Sequence, residues 1–269
     1  NPAFSSPEID ARVNKLIATM TLDEKLAQIE GTRLKEIMVD GKVSIEKCRE
    51  IIPYGIGHFC QFSSGLDVNP EELRDIVRDV QHYLMTETRL KIPAIFHEEA
   101  ITGFATKGAT TFPQQIGIGC SWNPQMVNNN AHSTAISMRA AGATFALSPM
   151  LDLSRTAFWN RLEESYGEDA YLTSRLGVSF VQGLQGGDFR TGVAATTKHF
   201  AGYGTNNNNS KELYEEYLMP HEACMKIAGS KSVMPSYGTY KALPMSASPT
   251  MLDYILRKQL NFDGLVVSD

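Results

Sequence analysis

Two periods of apolar residues alternate along this chain. Leu73, Ile76, Val77, Val80 and Leu84 recur at helical spacing on one face, with charged residues between them, and predict a helix that packs against a core. Elsewhere the apolar residues form short continuous runs: 56–62, 92–96, 143–147, 193–197, 232–234 and 265–267, with a further short strand expected near 244–247. Runs of this length, rich in β-branched and aromatic residues, predict buried strands. Helix starts punctuate the chain between them. Ser6-Pro7, Asn69-Pro70, Asn123-Pro124 and Ser248-Pro249 each put a capping side chain before a proline suited to the first turn. Thr21 and Glu24 have the spacing of a capping box. Helices are therefore expected over 7–19, 22–30, 70–89, 124–140, 170–184, 211–228 and 249–260.

Strands alternating with helices predict an α/β fold with a parallel sheet and right-handed crossovers. Six or seven such units over 269 residues favour a (β/α)8, TIM-barrel-like domain over an open sheet, taken as one domain over 1–269. No eighth strand and helix can be found before Asp269, so the barrel is expected to lack its last unit. The polar tract Asn206–Asn209 reads as a loop.

Composition narrows the function. Hydrophobic residues make up 42% and charged residues 20%, with a net charge of −5 and a pI near 5.7. There is no basic run and no apolar stretch near the ~20 residues of a membrane span, so neither nucleic acid nor membrane is an expected partner. Cys48, Cys60, Cys120 and Cys224 are scattered, and His97-Glu98-Glu99 is not a zinc-binding pattern. Buried free thiols are expected, with no metal and no cofactor. The start Asn1-Pro2-Ala3-Phe4 carries no signal peptide, although a mature secreted or periplasmic form would look the same. Asn208-Asn209-Ser210 is a formal glycosylation sequon, read as chance.

The chemistry gathers where strands give way to loops. Gly264-Leu265-Val266-Val267-Ser268-Asp269 is a turn, a buried strand and a carboxylate. In a parallel barrel that carboxylate sits at the active-site mouth, where it is either a nucleophile or the cap of a following helix. Other strand ends deliver His97, Glu98 and Glu99; Ser148, Asp152 and Arg155; Lys198 and His199; and Ser236 and Tyr237. Together they describe a pocket that grips a polyhydroxylated ligand through charge-assisted hydrogen bonds, with Phe158, Trp159 or Tyr237 offering an apolar face.

Five stretches resemble glycoside hydrolase family 3, in the family's order. They are Ile92-Pro93-Ala94-Ile95-Phe96-His97-Glu98-Glu99-Ala100-Ile101-Thr102-Gly103; Leu147 to Arg155 continuing through Trp159-Asn160-Arg161 to Asp169; Lys198-His199-Phe200-Ala201-Gly202-Tyr203-Gly204; Ser232 to Tyr237; and Gly264 to Asp269. The resemblance implies the N-terminal barrel domain of a retaining β-glucosidase or β-xylosidase. It implies Asp269 as the nucleophile, Glu99, Arg161, Lys198 and His199 as residues that hold the sugar, and Tyr237 as an aromatic beside the nucleophile. It also implies an acid/base from a C-terminal domain of the same polypeptide. Lys198 and Arg161 are the cations expected to keep Asp269 ionised. Glu163, Glu164 or Glu168 are alternative ion-pair partners for Arg161, His97 and Glu98 are expected to support the loop, and Asp152 and Arg155 to orient theirs. Thr102 stands where many relatives carry His. The residues after Gly204, Thr-Asn-Asn-Asn-Asn-Ser-Lys-Glu, lack the Asp-x-x-x-Asp-Ser-His stretch of the N-acetylglucosaminidase branch. Two readings outside this class stay open at this point: a Schiff-base lyase using Lys198, and a non-catalytic sugar-binding module.

Overall fold

The computed structural model describes residues 6–204 and 209–269. At its centre lie seven strands: β1 (Gly31–Thr32), β2 (His58–Phe59), β3 (Ile95–Glu98), β4 (Phe145–Ala146), β5 (Ala194–Phe200), β6 (Ser232–Pro235) and β7 (Leu265–Val266). Each pairs in parallel with the next along the chain, so their order in space is their order in sequence. A doubly wound sheet reverses its order at a switch point; a sequential one is the wall of a β/α barrel. Among the described residues β1 and β7 are the two edges of this arc and do not pair with each other.

The helices Pro7–Thr19, Leu22–Ile29, Pro70–Glu87, Pro124–Ala140 and Ala170–Gln185 stand where the pattern puts them. Ser6, Asn69 and Asn123 cap their helices, and Thr21 and Glu24 close a reciprocal box. The face Leu73, Ile76, Val77, Val80 and Leu84 is buried in the main core, against Phe96 and the inner faces of neighbouring helices.

Four expectations change. The stretch near 244–247 is not a sheet strand: Leu243–Pro244 pairs with Thr239–Tyr240 in a small antiparallel ribbon, and Met245–Ala247 is a 3-10 turn. The additional sheet strand is β1, which has no apolar run of its own to announce it. The helix expected over 211–228 is broken at Leu218, where a π turn over Leu213–Tyr217 hands over to the helix Met219–Lys226. Pro220 has no N–H to donate back across that junction, so an unbroken α-helical ladder cannot form there. Of the four free cysteines only Cys48 and Cys224 are buried, whereas Cys120 is exposed. Residues 206–208 of the Asn206–Asn209 tract, including the sequon's Asn208, lie outside the described residues.

Side-chain alternation decides what reaches the barrel interior. Ile95, Phe145, Leu147, Ala194, Met234, Leu265 and Val267 form a small inner cluster, while Phe96, Ala146, Ala195, Val233 and Val266 face the surrounding helices. Counting on in twos from the inner set gives Glu99, Lys198 and Asp269.

Candidate active site

Lys198 is only 2% exposed, and its ammonium donates to both oxygens of Glu99 at 2.9 and 2.8 Å. A buried lysine needs such a partner, because desolvation otherwise disfavours its charge. Glu99 is positioned by its neighbour. Glu98 faces outward and accepts the Glu99 backbone N–H at 2.9 Å, the Ser63 N–H at 3.0 Å and the Ser63 hydroxyl at 2.5 Å. Burial pushes the Glu98 carboxyl up, only partly offset by these donors. Glu98 thus ties the loops after β2 and β3 together, as expected. His97 does not support a loop: it faces the interior, edge-on to His58 and Phe145, and burial pushes it down to about 4.

His199 has the wrong parity to face inward from a regular strand. The pairing of β5 with β6 slips at this point: Lys198 lies opposite Met234 and Phe200 opposite Pro235, leaving His199 as the extra residue. Such a bulge re-aims a side chain. The His199 ring is buried, with Nδ1 2.7 Å from Asp152 Oδ2; the same oxygen accepts the His199 backbone N–H at 3.1 Å. Its Nε2 faces Arg161 Nη1 at 3.2 Å and Asp269 Oδ2 at 3.6 Å.

Arg161 donates to Glu164 through two parallel bonds of 2.7 and 2.6 Å. Its charge is further fixed by Glu164, Asp152 and a hydrogen bond to Tyr203, against the opposing effect of burial. Burial raises the Glu164 carboxyl, but Arg161 outweighs this and holds it below the usual range. The ion-pair alternative for Arg161 and its place in the site therefore hold together. Asp269 is partly exposed, with 26% of its side chain accessible. The Tyr237 hydroxyl bonds to it, and that bond, with burial and the charge of Asp269, pushes the phenol up.

The structure thus brings Glu99, Arg161, Lys198, His199, Tyr237 and Asp269 to one mouth. It corrects how they act on each other. Lys198 and Arg161 are committed to Glu99 and Glu164, and the groups directly facing Asp269 are Tyr237 and His199. Asp152 orients His199 more than its own loop. Arg155 pairs with Glu216 across the loop. Tyr203 went unassigned in the sequence, although it sits five residues after Lys198 in a quoted motif. Its ring lies 5.1 Å from His199, 5.7 Å from Trp159 and 5.9 Å from Tyr237, making one edge-to-face aromatic wall. Trp159 packs on Gly204, at a positive φ where any Cβ would meet the indole ring. Phe158 stays outside this wall, fully exposed.

The chain resembles known glycosidases over most of its length. The chain is 40% identical over 204 residues to a beta-xylosidase of Formosa agariphila, covering 67% of this chain and 28% of that one. It is 32% identical over 271 residues to a periplasmic beta-glucosidase of Salmonella typhimurium, covering 97% and 33%. A solved b-glucosidase of Erythrobacter marinus superposes with a TM-score of 0.88 at 32% identity, over 96% of this chain and 36% of that chain. The chain therefore spans about a third of the length of these relatives. A sequence profile described as "Glycosyl hydrolase family 3 N terminal domain" matches residues 21–269, and the chain belongs to that family.

Proposed function

We propose that this chain forms the sugar-binding and nucleophilic half of a retaining β-glycosidase acting on terminal non-reducing β-D-glucosyl or β-D-xylosyl residues. The observation that carries this reading is the convergence of Asp269 with Lys198–Glu99, Arg161 and His199 at one strand-end mouth. A retaining mechanism needs a carboxylate nucleophile and a second carboxyl as acid/base roughly 5–5.5 Å away. Asp269 attacks the anomeric carbon; the glycosidic C–O bond breaks as the acid protonates the leaving oxygen. Water then hydrolyses the glycosyl–Asp269 ester, giving its proton to the same group acting as base.

Glu99 and Glu164 are each held by a cation, which leaves neither free to be the acid/base. The resemblance to the family implies that this group comes from a C-terminal domain of the same polypeptide. Paired charges suit a sugar site: Lys198 donates to hydroxyls while Glu99 accepts from them, and the pair needs no counter-ion when the site is empty. Part of this binding strengthens as the ring flattens toward its oxocarbenium-like state. Beta-glucosidase structures that match this fold include a mutant enzyme of Listeria innocua in complex with laminaribiose, a ligand of the class proposed here.

The lyase reading loses ground because Lys198 is held by two bonds to a carboxylate, whereas a Schiff-base nucleophile must be deprotonated. The test is Asp269→Gly in the intact protein, assayed with and without azide on an activated aryl β-glycoside. The expected result is loss of turnover, restored by azide as the α-glycosyl azide. Unchanged hydrolysis by the variant contradicts the assignment and favours a binding module.

A further inference from the structure

We propose that His199 works as a neutral hydrogen-bond acceptor, with Nε2 as its open end, and that Asp152 is the positioning residue that sets this state. The proposal deepens the reading above and rests on it for the sugar, but not for the state of the ring.

The partners of His199 allow no choice. A guanidinium only donates hydrogen bonds, and an ionised carboxylate only accepts them. His199 stands between one of each. Asp152 Oδ2 lies 2.7 Å from Nδ1, so Nδ1 carries the proton. Arg161 Nη1 lies 3.2 Å from Nε2, so Nε2 presents its lone pair. A proton on Nε2 would set two donors against each other. Asp269 Oδ2, at 3.6 Å from Nε2, would favour that proton, but it stands farther off than Arg161 and already takes the Tyr237 hydroxyl. The other groups facing His199 do not supply a proton acceptor at Nε2. Tyr203 meets the ring edge-on at 5.1 Å, and burial keeps His221 uncharged. Glu164 is bound by Arg161.

Asp152 is built for this task. Its side chain is fully buried, and one oxygen takes both the ring and the backbone N–H of His199. It is brought there by the segment after β4, which runs beside the end of β5: Lys198 N donates to Pro149 O at 3.0 Å and Leu151 N to Lys198 O at 2.6 Å. Ring and backbone are thereby fixed relative to each other across the bulge.

The consequence is a pocket with assigned polarity. Lys198 and Arg161 donate; Glu99 and His199 accept. A hydroxyl that displaces Arg161 from Nε2 must give its proton to His199, so a fluorine or a hydrogen in that hydroxyl's place forfeits the bond.

Long-range proton–nitrogen NMR on the 15N-labelled intact protein reads the ring directly, with His199 assigned by its loss in His199→Gln. The expected pattern at pH 7.5 is a protonated Nδ1 and a bare Nε2. A protonated Nε2, whether as the other tautomer or as imidazolium, overturns the proposal. Kinetics on the intact protein test the route through His199. Asp152→Asn is expected to lower kcat/KM about 10–100-fold in the wild-type background, the cost of a charge-assisted bond. In the His199→Gln background it should cost less than about 2-fold, because the residue it acts through is gone. Equal losses in both backgrounds overturn the role of Asp152. Failure of the nucleophile assignment would show separately, as an Asp269→Gly variant that still hydrolyses substrate.

Discussion

The outer wall of this barrel and its mouth obey opposite rules. In the helix Pro70–Glu87 the fully buried positions are apolar apart from the Tyr83 hydroxyl, and Gln81 beside them bonds to the Ala94 backbone. At the ends of β3 and β5 the inward positions are Glu99 and Lys198, and His199 is buried beside them. The wall is held by many weak, interchangeable contacts. The mouth is held by a few directional ones, each of which leaves a stranded charge or donor if its partner is removed. A wall tolerates substitution by degrees, while a mouth of this kind fails one pair at a time.

That contrast orders the expected effects. Asp269→Asn, which keeps the size of the side chain but not its nucleophilicity, is expected to cost about 10³-fold or more in kcat. Tyr237 and His199 would still face the amide, so the melting temperature should hardly move. Next come the two halves of the buried pair, and they should not be equal. Glu99→Gln leaves the ammonium of Lys198 buried with no counter-charge, at a cost of about 3–5 kcal/mol. Lys198→Met leaves Glu99 with a third of its side chain still reaching water, and should cost less stability, though no less activity. Denaturant titration of both variants checks the asymmetry, and equal losses would mean the pair is not desolvated as described. On the wall, Leu73→Ala is expected to cost about 2–5 kcal/mol of stability while leaving sugar affinity unchanged.

A further effect is one of pH. Burial depresses His97 to about 4 and His221 to about 3. In the unfolded chain both titrate near 6.5. Their contribution to stability is therefore complete above pH 6.5 and is lost as pH falls, when the unfolded state takes up protons that the folded state refuses. Each group contributes a slope of about 1.4 kcal/mol per pH unit between its two values. Unfolding midpoints measured from pH 7 to 4.5 should fall, and His221→Asn should flatten the curve.

How much of this was legible in the sequence follows the same division. The wall was readable because period alone defines a buried face: the stripe from Leu73 to Leu84, the caps at Ser6, Asn69 and Asn123, and six of the seven strands follow from local pattern. β1 was not, because Gly31–Thr32 is a two-residue edge strand, exposed at Gly31 and half-buried at Thr32, without an apolar run. The mouth was legible only in its membership. Asp269, Lys198, His199, Glu99, Arg161 and Tyr237 could be named from strand ends and motif resemblance. Who holds whom could not, since Glu99 meets Lys198 across 99 positions and Asp152 meets His199 across 47. The bulge at His199 left no mark on the pattern either, so the strand end could name His199 but not the direction of its ring.

The proposed chemistry stands or falls on Asp269, and the most direct measurement is covalent. The intact protein, incubated with 2,4-dinitrophenyl 2-deoxy-2-fluoro-β-glucoside or its xyloside counterpart, should gain the mass of one fluoroglycosyl group. Peptide mapping should place it on Asp269. A label on any other carboxylate, or complete turnover with inversion and no label at all, would contradict the assignment.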